Sequence, residues 1–284
     1  MSGFVLKIIA CITMLLDHTQ AIFDIPKMDF LRAIGRMAFP IYVFFVAEGC
    51  RHTKNIWKYL FRLALFALIS EIVFDMAFSY VRMPPRVPLK AIDFTWGTNV
   101  FYTLFFGAAA NCVYEKFLRK KNAAIVFLPF ILTVTTYFLF FTVSSDFLRL
   151  LLIIGYLRLC VGGFLALAKF LPDKPDNEQD NSVMLAILPA FAMILAAGVL
   201  DSDYGTYGAL FIFLTYVIGK GKKIPSAITV GACFLFLYGN NILLSYTSIM
   251  FWFYILIVLL AVGCLVLYNG KRGPKLKWAF YAFY

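Results

Sequence analysis

The chain alternates long apolar runs with short basic loops, and this alternation restricts the fold more than any other feature. Runs of about 17–24 residues have the length that a helix needs to cross the hydrocarbon core of a bilayer. Ten runs of this kind lie at residues 4–23, 31–49, 57–78, 98–117, 123–141, 147–170, 182–200, 204–219, 224–244 and 247–268. We therefore predict an all-α, polytopic integral membrane bundle of about ten transmembrane helices, formed as a single domain over residues 1–284. The tail from Lys277 to Tyr284 has the composition of a further span that is cut off by the chain end.

The composition excludes a soluble domain. Hydrophobic residues make up 62% of the 284 residues, which is more apolar surface than a soluble core can bury. The formal net charge of +11 would suggest nucleic acid in a soluble protein, but here the basic residues cluster in loops between apolar runs. We expect membrane lipid as a partner and no nucleic acid. The six cysteines have no metal-ligand spacing, so we predict free thiols and no metal site.

The basic loops predict an orientation. They follow the second, fourth, eighth and tenth runs, all of which end on one side of the membrane. Cytoplasmic loops carry an excess of Lys and Arg, so we assign this side and the amino terminus to the cytoplasm. Two loops fit this orientation less well. Residues 173–180 are acidic although predicted on the cytoplasmic side, and Arg82, Arg86 and Lys90 lie in a loop predicted on the outer side. The first run lacks a basic leading segment, so we expect a retained span and no cleaved signal peptide.

The first run carries the strongest candidate for chemistry, His18. A histidine deep in an apolar helix is a candidate functional group, and its ordinary pKa lets it accept a proton at neutral pH. Lys7 precedes it by eleven residues, about 16 Å along a helix axis. Asp17 would raise the basicity of His18, although neighbours in sequence point about 100° apart on a helix. The alternative is a histidine that bonds a neighbouring helix or faces the outer headgroups.

The other candidate residues fall into two layers under this topology. An outer layer consists of Asp17, His18, Arg36, Glu71, Asp75, Asn99, Asp201, Asp203 and Tyr204. Of these, Arg36, Glu71, Asp75, Asn99, Asp203 and Tyr204 are expected to line an acceptor site. An inner layer consists of Lys7, Glu48, Arg51, His52, Lys54, Lys58 and Arg62. Of these, Lys7, Arg51, Lys58 and Arg62 are expected to bind an anionic cofactor from the cytoplasm. Arginine offers a planar fork to phosphate and lysine a point charge, so both residue types suit that task.

Structural alternatives exist for both layers. Glu71 and Asp75 share a helix face and need a cationic partner, so they also fit an ion-pair network between spans. Lys58 and Arg62 also fit snorkelling side chains that set the topology. Asp203 would equally serve as a helix N-cap.

Three further residues carry structural expectations. Tyr204 also fits the interfacial aromatic belt. Pro40 is expected to kink the second span. Arg158 lies near the centre of the sixth run, where an unpaired cation is expensive, so we expect a carboxylate partner.

The chain resembles the TraX family, membrane proteins linked to N-terminal acetylation of conjugative pilin. The matching segments are Leu6–Ala10 with Met14–His18, Leu31–Ile41, Glu48-Gly, Tyr59–Asp75, Asn99-Val-Phe and Asp203-Tyr-Gly. TraX proteins in turn resemble a distant branch of the transmembrane acyltransferase superfamily, which carries an Arg or Lys, ten residues and then His. Lys7 and His18 fit that spacing.

The resemblance implies a transferase with His18 as the catalytic histidine and acetyl-CoA as the donor. The superfamily also carries an Arg-x-x-Arg at the cytoplasmic start of its third span, implicated in acyl-CoA binding. Arg62 matches the second arginine of that motif, whereas Tyr59 replaces the first. The implied location is the bacterial plasma (inner) membrane, which the chain would cross several times.

These features together predict an acyltransferase that moves an acetyl group from cytoplasmic acetyl-CoA to an amine or hydroxyl near the extracytoplasmic face. The acceptor would be a peptide N-terminus or a surface glycan. One alternative is a proton-coupled transporter that uses the buried histidine and carboxylates as a relay, although the chain shows no inverted repeat. Another is a noncatalytic membrane scaffold, in which every intramembrane charge would be paired.

Overall fold

The computed structural model describes residues 1–23, 25–82, 97–120, 123–143, 146–173, 182–242 and 249–274. This part is all-α: it contains no strand and only two isolated β-bridges, Thr98–Ser202 and Lys120–Asp173. The helices are α1 Gly3–Phe23, α2 Phe30–Gly35, α3 Ala38–His52, α4 Ile56–Arg82, α5 Val100–Leu118, α6 Phe127–Thr142, α7 Asp146–Leu157, α8 Phe164–Phe170, α9 Ser182–Val199, α10 Gly205–Gly219, α11 Lys223–Ile242 and α12 Ile249–Val266. A 3₁₀ turn, Ala123–Val126, precedes α6, and a π-helical segment, Arg158–Gly163, joins α7 to α8.

Each of the ten predicted apolar runs is helical over most of its described residues, and the all-α fold class is confirmed. The second run is divided into α2 and α3 by a break at Arg36 and Met37. Arg36 lies four residues before Pro40, where the proline ring removes a helical hydrogen bond and clashes with the carbonyl of residue i−4. The expected distortion of this run by Pro40 therefore takes the form of a break one turn upstream.

Among the residues that the structure describes, three helical stretches are long and apolar enough to cross a membrane, judged by length and composition. They are Gly3–Phe23, Phe30–His52 and Ile249–Val266. Five further apolar helical segments are shorter, at 10–17 residues each. The total of ten spans, the cytoplasmic amino terminus and the inner-membrane location stay predictions. The predictions for Arg86, Lys90, the tail Lys277–Tyr284 and most of loop 173–180 fall outside the described residues.

The chain forms two compact units. The first unit comprises Met1–His52, Leu68–Asp93 and Leu214–Tyr284. Its core contains the buried side chains of Leu6 on α1 and of Ile41 and Phe44 on α3. The α12 end is joined to the chain start, because the Met1 ammonium donates a 2.6 Å hydrogen bond to the Leu267 carbonyl.

The second unit comprises Thr53–Ala67 and Phe94–Phe213. Its centre is the pair α5 and α9, both rich in alanine, which allows the two backbones to approach closely. Gly107 of α5 allows similar contact with α10, since a Cβ added there would lie 2.6 Å from the Ile212 side chain. Helices α6, α7 and α8 pack around this pair.

Candidate functional site

Helix α1 carries both Lys7 and His18 in the first unit. Leu6, Ala10 and Met14 repeat at i, i+4 and form a buried stripe along one face of α1. Burial of this stripe determines which face of the helix points into the unit. Lys7 and His18 lie beside this stripe and are half-buried. The Lys7 ammonium stands 5.5 Å from the centroid of the Phe45 ring on α3.

Arg51 is fixed at the end of the same helix α3. Its guanidinium donates a hydrogen bond to the Tyr216 carbonyl of α10 and lies 4.3 Å from the centre of the Tyr216 ring. A second nitrogen is 3.7 Å from the Glu48 carboxylate. Lys7 therefore contacts the middle of α3, and Arg51 lies near the C-terminal end of the same helix.

The turn between α10 and α11 adds basic residues beside Arg51 that the sequence reasoning did not select. Gly221 has a φ of +73°, and a Cβ added there would lie 3.5 Å from the Arg51 side chain. The exposed Lys220 and Lys222 flank this glycine. The Lys-Gly-Lys spacing of the loop is the signal that would have identified them.

Asp17 contacts α2 through a residue that the sequence reasoning also missed. One of its carboxylate oxygens lies 3.8 Å from Nε of Arg32, and the Asp17 side chain is only 16% exposed. Gly35 permits this contact, because a Cβ there would stand 2.2 Å from Cβ of Asp17. The ion pair of Asp17 with Arg32 thus connects α1 to α2 at the residue that precedes His18.

The first unit also contains Arg36, Glu71 and Asp75. Glu71 is 1% exposed, while Asp75 and Arg36 are half-buried. Both carboxylates belong to residues 68–82 of α4, the part of that helix assigned to the first unit. The candidate residues Asp17, Glu71 and Asp75 are therefore held in the same unit as His18.

Asn99 caps α5 in the second unit. Its side-chain oxygen accepts a 2.9 Å hydrogen bond from the Phe101 amide, and its side-chain nitrogen donates a 2.7 Å bond to the Ala67 carbonyl. Asn99 is 2% exposed. The cap accounts for an asparagine at this position, because it satisfies a backbone amide that helix geometry leaves unbonded.

The segment that contains Asp203 and Tyr204 is strained and tightly anchored. Asp201 and Tyr204 have φ values of +45° and +63°, which non-glycine residues seldom adopt. Backbone bonds join it to Thr98, whose carbonyl accepts a 2.9 Å bond from the Asp203 amide. The Thr103 hydroxyl, fully buried, lies 2.8 Å from the Ser202 hydroxyl and also bonds the Asp203 carbonyl. The Asp203 side chain is exposed and that of Tyr204 half-buried.

Lys58 and Arg62 lie on the surface of the second unit, near the start of α4, and both are exposed. Asn55 begins this helix by accepting a 2.9 Å bond from the Lys58 amide. The ammonium of Lys116 covers the nearby Trp57 ring at 4.3 Å from its centroid. This surface of the second unit is therefore basic.

Comparison with known proteins assigns the chain to a family. The chain matches the family model described as TraX protein over residues 2–171. It is also similar to a probable fimbrial assembly protein FimC, serogroup H1, of Dichelobacter nodosus, at 41% identity over 73 residues. That alignment covers 25% of this chain and 30% of the relative, so less than a third of the relative's length is matched. No solved structure shows significant similarity to the chain. Because the family match extends over more than half of its residues, the chain belongs to the TraX family.

Proposed function

We propose that the protein is a membrane-embedded acyltransferase that moves an acetyl group from cytoplasmic acetyl-CoA to an amine or hydroxyl near the extracytoplasmic face. The observation that carries this proposal is the arrangement of α1. His18 and Lys7 are about 16 Å apart along one helix. Lys7 contacts Phe45 of α3, the helix that also carries Arg51. A donor with phosphates at one end and a thioester at the other suits this separation. Lys7 would bind the phosphates, and His18 would accept a proton at the thioester.

The donor side rests on the basic residues. Lys7 and Arg51 would hold phosphates in the first unit, with Lys220 and Lys222 of the neighbouring turn as additional cations. The hydrogen bond and ring contact from Tyr216 fix the Arg51 guanidinium, which reduces the entropy lost when a phosphate binds. Lys58 and Arg62 are exposed on the second unit, and their assignment to phosphate binding stays a prediction from the sequence.

The chemical step needs one proton acceptor. The acceptor nitrogen or oxygen attacks the thioester carbonyl carbon while a ring nitrogen of His18 takes its proton. The resulting tetrahedral intermediate breaks its carbon–sulfur bond, and the CoA sulfur leaves with the proton returned by His18. Asp17 would act as a positioning residue here, because its contact with Arg32 holds α1 against α2 beside the histidine.

In the first unit the acceptor side rests on Arg36, Glu71 and Asp75, whose charges suit an amine or a sugar. The assignment of Asp203 and Tyr204 of the second unit to the acceptor stays a prediction from the sequence, and Asn99 acts there as the cap of α5. The name of the Dichelobacter relative, a fimbrial assembly protein, favours the amino terminus of a pilus subunit as acceptor over a surface glycan. The corresponding location is the bacterial inner membrane, crossed several times by the chain.

The test compares the two histidines of the chain in the purified full-length protein. Labelled acetyl-CoA is supplied with a peptide amine, and CoA release and acetylated product are both measured. We expect His18→Gln to lower the rate by about 10²–10⁴-fold, the usual contribution of a general base. His52→Gln is the matched control and should retain the rate, because His52 is exposed and bonded to Glu48 at 3.0 Å.

Two results would contradict the proposal. One is an unchanged rate for the His18 variant, which would remove the catalytic role. The other is the absence of saturable acetyl-CoA binding by the wild-type protein, which would favour the transporter alternative, since transport has no need of a thioester.

A further inference from the structure

The helical run of residues 146–170 has one face buried in the second unit. Tyr156, Cys160, Phe164 and Ala168 repeat at i, i+4 and are all buried. The Tyr156 hydroxyl donates a 2.6 Å hydrogen bond to the Ala192 carbonyl of α9, and the Phe164 ring packs edge-on to Phe117 of α5. These contacts fix which side of the run faces outward.

The outward face carries a cation at its centre. Its exposed residues include Leu151, Ile154, Arg158 and Gly162. A Cβ added at Gly155 or Gly162 would meet no atom within 4 Å, so the backbone itself is open at these points. Within the described ranges, no carboxylate lies within 4.0 Å of the Arg158 guanidinium, so the expected partner is not among the residues that the structure describes. We name this surface, Leu151 to Gly162, the Arg158 face.

The depth of Arg158 determines which anions can reach it. The residue lies twelve positions from each end of the run, about 18 Å along the axis. The hydrocarbon core is about 30 Å thick, so a run that crosses it holds Arg158 about 15 Å from either headgroup layer. An arginine side chain does not span that distance unless the bilayer thins. A carboxylate within the membrane is therefore a better partner than a lipid phosphate.

We propose that the Arg158 face docks a membrane-spanning helix of another protein, one that carries a single Asp or Glu at mid-membrane depth. The carboxylate would pair with Arg158, and Gly155 and Gly162 would let the two helix backbones approach closely. Charge complementarity identifies the occupant. The inference goes beyond acyl transfer and requires that residues 146–170 cross the membrane.

A second copy of this chain fits the face poorly. The carboxylates that the structure describes as exposed all lie outside the helices: Asp29, Asp173, Asp201 and Asp203. They would lie near the headgroups of a bilayer, away from the depth of Arg158. The exposed carboxylates thus favour a different chain as the partner.

The experiment uses the full-length protein in phosphatidylcholine nanodiscs. The probe is a fluorescent 23-residue Leu/Ala helix with one Glu at its centre, and the matched probe has Gln there. We expect the Glu helix to bind about tenfold more tightly than the Gln helix, and Arg158→Met to remove this difference. Arg158→Lys should retain part of the affinity difference between the two probes. Gly162→Leu should weaken the binding of both probes, because its side chain would keep the helix backbones apart.

Lys169→Met is the control, because it removes an exposed cation from the end of the same helical run and should leave binding unchanged. Equal affinity for the two probes would overturn the proposal. So would full competition by phosphatidylglycerol, which would assign Arg158 to lipid, or self-association that depends on Arg158, which would assign the face to a second copy. Size-exclusion profiles of each variant separate these outcomes from misfolding.

Discussion

The buried hydroxyl of Thr103 stabilises the strained segment that contains Asp203 and Tyr204. Two non-glycine residues in this segment have positive φ values, so its conformation depends on outside contacts. Thr103 contacts both the Ser202 hydroxyl and the Asp203 carbonyl from helix α5. We expect Thr103→Val, which keeps the shape but removes the hydroxyl, to lower the free energy of unfolding by about 1–3 kcal/mol.

Thr135→Val is the matched control for Thr103→Val. Thr135 lies on α6 of the same unit, is exposed, and bonds only the Ile131 carbonyl of its own helix. Its replacement should change stability by less than about 0.5 kcal/mol. Thermal unfolding in detergent measures both variants, and Thr103→Ser should recover most of the loss. Equal effects of the two valine substitutions would show that the Thr103 contacts contribute nothing.

The contact between α1 and α2 depends on the absence of a side chain at Gly35. An added Cβ would stand 2.9 Å from Cα of Asp17, a backbone atom that cannot rotate away. We expect Gly35→Ala to cost about 1–3 kcal/mol by forcing the helices apart. It should also slow acyl transfer, because Asp17 precedes His18 on the helix that moves. Thermal stability and the rate of product formation test the two effects.

Gly263→Ala provides the comparison for Gly35→Ala within the first unit. Gly263 lies inside α12, and an added Cβ there meets nothing within 4 Å. Alanine favours helix over glycine by about 1 kcal/mol, so this variant should equal or exceed the wild type in stability. If both alanine variants were equally stable, the close approach of α1 and α2 at Gly35 would contribute nothing to the free energy of unfolding.

The orientation of the whole molecule is testable through its exposed loop residues. In a background with the six cysteines replaced, single cysteines are placed at Lys54, Lys222 and Asp29, all exposed. We expect a membrane-impermeant maleimide to label the Lys54 and Lys222 sites only in inverted vesicles, since both loops are basic. The Asp29 site should be labelled only in intact spheroplasts. Labelling of Asp29 and Lys54 from the same side would contradict the predicted topology.

Much of the fold follows from the order of residues along the chain. Apolar runs are a one-dimensional property, and all ten became helices because a helix satisfies its own backbone hydrogen bonds. The break before α3 follows from Pro40 for the same local reason. Asn99 stands at the start of its run, where an N-cap residue is favoured. How many of these helices cross the membrane, and in which direction, depends on the bilayer as well as on the chain.

The sequence by itself determined the helices, the spacing of Lys7 and His18 on one of them, and the residue types available for chemistry. Only the tertiary structure decided their partners, because pairs such as Arg51 with Tyr216 and Thr103 with Ser202 are distant in the chain. It also joined Asp17 to Arg32 and turned Arg158 outward. Periodicity defines a face for each helix, but which neighbour covers that face depends on packing among all the helices at once.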